Sequence, residues 1–487
     1  MDLGSNSFHM LIARVVQGEL HILDRMRETV RLAAGLDDDK RITNEARERA
    51  LACLARFGQR IADLPEGAVR AVGTNTLRRA HNARGFLRKA RAALGHPIEV
   101  LPGREEARLI YLGVAHDISD DAGRRLVVDI GGGSTECIVG ERFEPLLTDS
   151  LHMGCVSFSE EFFKGGVIDR DRFRAAEIGA RLELQTIERS YRAEGWNEAV
   201  GSSGTINAIA EILRLSNWTK SGITREGLRR LRKTMVAAGH VTKLELPGLT
   251  PERRPVLPGG VAILGAIFDS LGVEVMRTSS FALREGLLYD LLGRIRHEDV
   301  RDRTIRRFSE VYHVDHEQAA RVERTALRCL GDVAQAWDID EETARRFLVW
   351  AARLHEIGLA ISYSGHHKHG AYLIEHSDMP GFGQGDQALL ATLVRMHRRK
   401  LDKSLFREPP TFRTRLALRL VVLLRLTVLL NHSRRPDAVP RLELEAQDNS
   451  LEVTFPKGWL EDQSLARADL EAEAEALRAV GFELRVR

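Results

Sequence analysis

The run RLVVDIGGGSTECIVG, Arg125 to Gly140, sets residues able to do chemistry at the end of an apolar segment. Asp129 interrupts the hydrophobic run; Gly131, Gly132 and Gly133 then lead into Ser134, Thr135 and Glu136. Glycines let backbone N–H groups approach an oxyanion, and the two hydroxyls add donors. A carboxylate on either side of the turn suits a divalent cation. Phosphate chemistry is the expectation. A Gly-rich turn in a plain β-hairpin has the same composition, so a second feature is needed.

The N-terminus supplies one. DLGSNSFHMLIARV, from Asp2, repeats the form: Asp, apolar, Gly, small residues, Ser, then alternating apolar positions. Asp2 and Asp129 stand 127 positions apart. RAVGTNTLR (Arg70 to Arg78) and EAVGSSGTIN (Glu198 to Asn207) keep almost that offset, Gly73 and Gly201 being 128 apart. The first pair reads as strand–turn–strand units, the second as strands that end in polar loops before helices. Two pairs at near-equal spacing predict a duplicated α/β unit. Its lobes would face small-residue loops and helix N-termini across a cleft, an environment that favours phosphate oxygens.

Bulk properties bound the rest. At 487 residues, with 43% hydrophobic and 29% charged residues, the chain is expected to form several globular domains. A net charge of +3 is small for this length, so polyanion binding must come from local patches. Cys53, Cys137, Cys155 and Cys329 show no metal-ligand spacing and read as reduced thiols of a cytoplasmic protein. No signal peptide or integral membrane segment is expected. The strongest membrane candidate, Leu416 to Leu430, is short and carries Arg419 and Arg425, so it reads as a buried helix.

Several motifs carry a resemblance. DLGSNS and DIGGGST, with GSSGT and GGVAILGAIFDSLG, resemble the actin, sugar kinase and heat-shock chaperone ATPase superfamily. Within it, DLGSNSFHM, REEARLIYLGV, VVDIGGGSTE, MGCVSF and ALREGLLYD are similar to the exopolyphosphatase / guanosine pentaphosphate phosphatase family. The likeness continues through LHEIGL and GAYLIEHSDMPGF. It implies two duplicated actin-like (ribonuclease H-like) α/β lobes at 1–111 and 112–297. An all-helical HD-like domain at 298–435 and a small C-terminal α+β domain at 436–487 follow. The family carries several residues before its first Asp where only Met1 stands here, so the opening strand is expected to be short or its start truncated.

Hydrolysing a phosphoanhydride requires an in-line water, a base and cations around the transferring group. PGREEARLIYLG (Pro102 to Gly113) reads as a helix start with two acids in its first turn. Apolar residues follow both at helical spacing, so periodicity leaves Glu105 and Glu106 open; the resemblance selects Glu106 as general base. It also implies that Asp129, Glu136 and Asp2 hold Mg²⁺, with a monovalent cation such as K⁺ as a further activator. Gly131, Gly132, Gly133, Ser134 and Thr135 would hold one face of the terminal phosphate. Ser5, Asn6 and Ser7 would hold the other, with Gly204 and Thr205 joining from the second lobe. Arg78 is placed to meet phosphate oxygens and stabilise developing charge.

From about Glu298 the texture becomes amphipathic and helical. LHEIGL resembles an HD-type phosphohydrolase helix, but the pair is His355–Glu356 where His-Asp is needed, so a non-catalytic domain is expected. Two basic segments stand out: His366, His367, Lys368 and His369, then Arg398, Arg399 and Lys400. They are expected to form a cationic track for polyphosphate, with His protonation adding to it. No aromatic interleaving or nucleic-acid motif accompanies them, so nucleic acid is not an expected partner. The final stretch reads as an α+β cap of roughly 50 residues, too small to stand alone.

The activity expected first is exopolyphosphatase: Mg²⁺-dependent, processive release of orthophosphate from inorganic polyphosphate. The alternative is a guanosine pentaphosphate (pppGpp) 5′-phosphohydrolase. Gly133, where nucleotide-directed relatives tend to carry alanine, and the HHKH and HRRK segments lean toward polyphosphate. A non-hydrolytic nucleotide switch is a third class, opposed by the joint presence of Glu106, Asp129 and Glu136. The resemblance implies a cytoplasmic homodimer, with peripheral membrane association as a variant.

Overall fold

The computed structural model describes residues 1–16, 19–118, 123–295, 300–399, 401, 412–435 and 439–487. Contacts divide the chain into two units, Met1–Asp299 and Val300–Arg487. The expected boundary at 297/298 lies outside the described residues.

The first unit contains two sheets. β1 (Asp2–Leu3), β2 (Ser7–Val16), β3 (Glu19–Thr29), β4 (Ala71–Gly73) and β5 (Ile98–Val100) lie in the order β3-β2-β1-β4-β5. β6 (Arg124–Ile130), β7 (Thr135–Glu141), β8 (Glu144–Leu151), β9 (Glu198–Ser202), β10 (Ile223–Thr224) and β11 (Val275–Thr278) form the order β10-β11-β9-β6-β7-β8. The topology repeats. β1 pairs antiparallel with β2 and parallel with β4; β6 does the same with β7 and β9. Asp2 and Asp129 thus occupy equivalent strands, as do Gly73 and Gly201. β1 is two residues long, whereas β6 is seven and is buried from Arg125 onward, as its continuous apolar run requires.

Helices Gly103–Asp117 and Leu283–Ile295 join the two sheets through one core containing Val72, Leu101, Val127, Ile138, Val200 and Leu287. They cross on glycine: a Cβ at Gly286 would stand 1.8 Å from the Leu109 carbonyl oxygen, and one at Gly113 would stand 2.2 Å from that of Ala282. Arg104 is exposed, but burial then runs from Glu105 through Tyr111 without a break, so those two turns of helix Gly103–Asp117 have no solvent face. The stretch Arg254–Leu271 is long and apolar enough to cross a membrane, but it is core of this unit, 72% buried.

The second unit packs helices Val300–Val311, His316–Val333, Glu341–Leu354, His366–His376, Gln384–Met396 and Phe412–Leu430 around Trp337, Trp350 and Phe382. Asp315 and Asp340 cap two of them by accepting from the amides of Gln318 and Thr343. The expected buried helix over Leu416–Leu430 is present; Arg425 within it pairs with Glu473 and donates to the Met396 carbonyl at 2.7 Å. A sheet of β12 (Glu443–Gln447), β13 (Ser450–Thr454) and β14 (Glu483–Val486), with helix Ser464–Arg478, follows. Leu444, Leu451 and Leu477 share the helical core, which resolves how so small a cap is stabilised.

Candidate active site

Two turns oppose each other between the sheets of the first unit. One joins β1 to β2 through Gly4, Ser5 and Asn6; the other joins β6 to β7 through Gly131 to Ser134. A Cβ at Gly132 would lie 3.1 Å from the Ser5 Cβ. The second turn is closed by the Gly131 amide on the Ser134 carbonyl at 2.9 Å. Its outer carbonyls accept from the helix behind it: Cys155 on Gly131 and Val156 on Gly132, both at 2.9 Å. Gly154 permits that seat, since a Cβ there would stand 2.3 Å from the Gly132 oxygen.

The expected phosphate residues divide into several groups. Ser5 and Ser7 are buried, Ser5 accepting from the Thr76 hydroxyl at 2.8 Å. Asn6 donates weakly to Ser7, and its carbonyl holds the amides of Val30 and Arg31. Thr135 departs from expectation. Its hydroxyl is fully buried and donates to the Met153 carbonyl at 2.6 Å, so it is engaged away from the cleft. Thr205 is likewise buried, on the Cys155 sulfur at 3.4 Å. Gly204 is exposed but covered by Arg253, whose Nη2 would meet a Cβ at 1.9 Å. Gly133 touches Asn75: the Asn75 amide donates to its carbonyl at 3.3 Å, and a Cβ would meet the Asn75 oxygen at 2.8 Å. A side chain at Gly133 would therefore require the Asn75 amide to give way.

Four carboxylates meet beside the turns: Asp2, Glu106, Asp129 and Glu136. Burial raises Asp2 to about 7, with the charge of Glu106 adding to it. Burial raises Asp129 to about 7 as well, against a hydrogen bond from Ser202. Glu136 is pushed up by burial, then by Glu106 and Asp129, while accepting from Ser150 at 2.8 Å. Asp2 Oδ1 is enclosed without a hydrogen-bond partner. Glu106 accepts from Arg78 Nη1 at 2.5 Å, and the same nitrogen donates to the Leu101 carbonyl at 3.0 Å. Its neighbour faces elsewhere. Glu105 forms a two-pronged pair with Arg108 at 2.8 Å, and Arg108 continues to Asp290 and on to Arg70.

A cationic group adjoins the acids. Arg284 lies 3.2 Å from His9 Nδ1, and burial, Arg284, Arg27 and Arg253 hold that histidine down to about 3, hence neutral. Arg27 and Arg253 have no carboxylate at ion-pair distance among the described residues, and they come from different lobes. Sequence reading missed Ser150, Ser202, Asn75, Arg27, Arg253 and Arg284. Ser202, Arg284 and Asn75 lie within GSSGT, ALREGLLYD and RAVGTNTLR, motifs that signalled the family or the repeat without marking the residue; Ser150, Arg27 and Arg253 sit in unpatterned stretches.

In the second unit the basic segments split. His366 and His367 are buried, and burial lowers both, His367 to about 4, with Arg398 opposing protonation of each. They are neutral at pH 7, so the expected cationic track loses them. Lys368 and Arg399 are exposed, His369 and Arg398 half-buried. Lys400 lies outside the described residues.

Comparison with known proteins matches residues 11–295 to the Ppx/GppA phosphatase family and residues 300–474 to Ppx/GppA phosphatase, domain III. The chain belongs to the Ppx/GppA phosphatase family. As a Ppx/GppA member it is a hydrolase that cleaves phosphoanhydride bonds. It is 42% identical over 484 residues to a guanosine-5'-triphosphate,3'-diphosphate pyrophosphatase of Vibrio vulnificus, covering 99% of this chain and 97% of that protein. A protein of the same name from Aeromonas hydrophila is 41% identical, covering 100% and 98%. Among solved structures, an exopolyphosphatase from Cytophaga hutchinsonii aligns with a TM-score of 0.54 at 26% identity, covering 60% of this chain and 96% of its own. The Aquifex aeolicus PPX-GPPA enzyme gives 0.51 at 25%, covering 59% and 96%.

Proposed function

We propose that this chain is a guanosine pentaphosphate 5′-phosphohydrolase, releasing orthophosphate and the tetraphosphate. This reverses the order expected from sequence. The observation that carries it is the near-full-length 42% identity to a protein named for that nucleotide. Of the two features that had leaned toward polyphosphate, the HHKH segment loses weight, because His366 and His367 are buried and neutral. A nucleotide with phosphates at two ends also suits a cleft with one acidic pole and one group of free arginines, Arg27 and Arg253. Polyphosphate is the second reading, favoured by the likeness to the Cytophaga hutchinsonii exopolyphosphatase.

The terminal phosphate would lie between the Ser5 and Gly132 turns. Glu106 takes a proton from a water whose oxygen attacks the terminal phosphorus as the bond to the bridging oxygen breaks. Arg78 keeps Glu106 aimed; arriving phosphate oxygens compete for the same guanidinium and free the carboxylate to act. The enclosed Asp2 oxygen and the raised Asp129 and Glu136 are hard donors short of positive charge, a set that fits Mg²⁺. Among the described residues no three His, Cys, Asp or Glu side chains form a group that could hold a metal ion on their own, and Mg²⁺ is commonly held by one or two carboxylates with waters and substrate oxygens. Bound there, Mg²⁺ would spread the charge of the transferring group.

The test is orthophosphate release from guanosine pentaphosphate, long-chain polyphosphate and ATP at equal concentration of terminal groups. The expected result is the highest kcat/KM on the pentaphosphate. Turnover of polyphosphate with the nucleotide untouched would overturn the reading.

A further inference from the structure

The helix crossing behind the acids carries one carboxylate that the chemistry described above does not use. Asp290 lies one turn beyond Gly286 on helix Leu283–Ile295, on the face that meets helix Gly103–Asp117. Its side chain is 4% exposed. Oδ1 accepts from Arg108 Nη2 and Oδ2 from Arg70 Nη1, both at 2.5 Å. The two guanidiniums come from different elements. Arg108 stands two residues past Glu106 in helix Gly103–Asp117, and Arg70 immediately precedes β4.

These three elements carry the working groups. Helix Gly103–Asp117 carries Glu106. β4 leads into Arg78, which holds Glu106 at 2.5 Å, and the Met1 ammonium next to Asp2 donates to the Arg70 carbonyl at 2.6 Å. Helix Leu283–Ile295 carries Arg284, whose charge bears on Asp2 and Asp129. Contact at Gly113 and Gly286 limits how close the two helices come, but it directs them less than hydrogen bonds do. A carboxylate with its two oxygens on two separate guanidiniums fixes both slide and rotation. Glu105 cannot serve in its place. It pairs with Arg108 three residues on in its own helix, so it steers that guanidinium without holding the helix against a neighbour. Buried ion pairs can often be replaced by apolar packing with no loss of stability, so this triad contributes geometry before stability.

We propose that Asp290 is a positioning residue for the phosphoanhydride hydrolysis: by holding Arg108 and Arg70 together it fixes helix Gly103–Asp117 against β4, and so the aim of Glu106 beside Arg78. It acts through those arginines and touches no reacting atom. The inference rests on the reading of Glu106 as general base, and it holds for nucleotide and polyphosphate alike.

The test is a double-mutant cycle on the full chain, using the substrate with the highest kcat/KM and a temperature well below every melting point. Asp290→Asn should lower kcat by roughly 100-fold, the cost of a displacement of about 1 Å, with KM little changed. Asp290→Glu keeps the charge that the two arginines need, so it should melt close to the parent. Its carboxylate is shifted by one methylene, and kcat should still fall by roughly 10-fold or more. In a Glu106→Gln background, with enzyme in excess over substrate, Asp290→Asn should lower the residual rate by less than about 3-fold, because no base is left to aim. A structural role alone gives the opposite pattern: an equal drop in melting temperature in both backgrounds, with kcat of the folded protein unchanged. Parent kcat in folded Asp290→Asn and Asp290→Glu, or the full loss repeated in the Glu106→Gln background, would overturn the proposal. Parent turnover in Glu106→Gln alone would remove the base and this inference with it, a result distinct from the other two.

Discussion

Glu106→Gln should lower phosphate release by roughly 10²–10⁴-fold while leaving substrate affinity close to that of the parent. The amide keeps the size of the side chain and its contact with Arg78 but cannot take the water proton. Steady-state kinetics with equilibrium binding of the nucleotide check both halves. Glu105→Gln is the control: Glu105 is spent on Arg108, so its loss should appear as a lower melting temperature, not as a lost base. Equal turnover in Glu106→Gln and the parent would remove Glu106 from the chemistry.

The second large effect lies away from the chemistry. Gly286→Ala would place a Cβ where the Leu109 carbonyl oxygen stands 1.8 Å away, a backbone atom that no side-chain rotation can clear. The helices carrying Glu106 and Arg284 must separate. A destabilisation of about 3 kcal/mol or more is expected, at or beyond the usual overpacking range. Denaturant unfolding measures it. Turnover should fall further than stability alone explains, because a displacement of about 1 Å costs roughly 100-fold in rate. An alanine variant as stable as the parent would mean that this crossing is looser than described.

Much of this arrangement was legible in the sequence, for reasons that differ by element. The duplication was visible because both lobes set an Asp, glycines and hydroxyl residues at equivalent strand ends, leaving Asp2 echoed by Asp129 and Gly73 by Gly201. Glu105 and Glu106 could not be separated by periodicity because the helix is buried on every side there, so no polar face exists to mark the cleft. Thr135 looked like a phosphate donor because its neighbours are small and polar; only the return of the chain at Met153 shows its hydroxyl taken. His366 and His367 looked like surface charge because basic residues surround them. They are buried where Gly358 approaches the His366 backbone and where His397, from another helix, packs against both rings. Arg27 and Arg253 were invisible for the same reason, as their meaning comes from sharing His9 across two lobes.

One engineered bond tests the central geometry most directly. Ser5→Cys with Gly132→Cys places two thiols on the facing turns, where the Cβ separation of 3.1 Å needs only a small opening to reach disulfide geometry. The four native cysteines are buried and free, so they should not compete. The oxidised double variant is expected to release orthophosphate about 100-fold more slowly than the same variant reduced, with the rate recovered on reduction. Failure of the bond to form, or a bonded protein that turns over as fast as its reduced form, would contradict two turns gripping one phosphate between them.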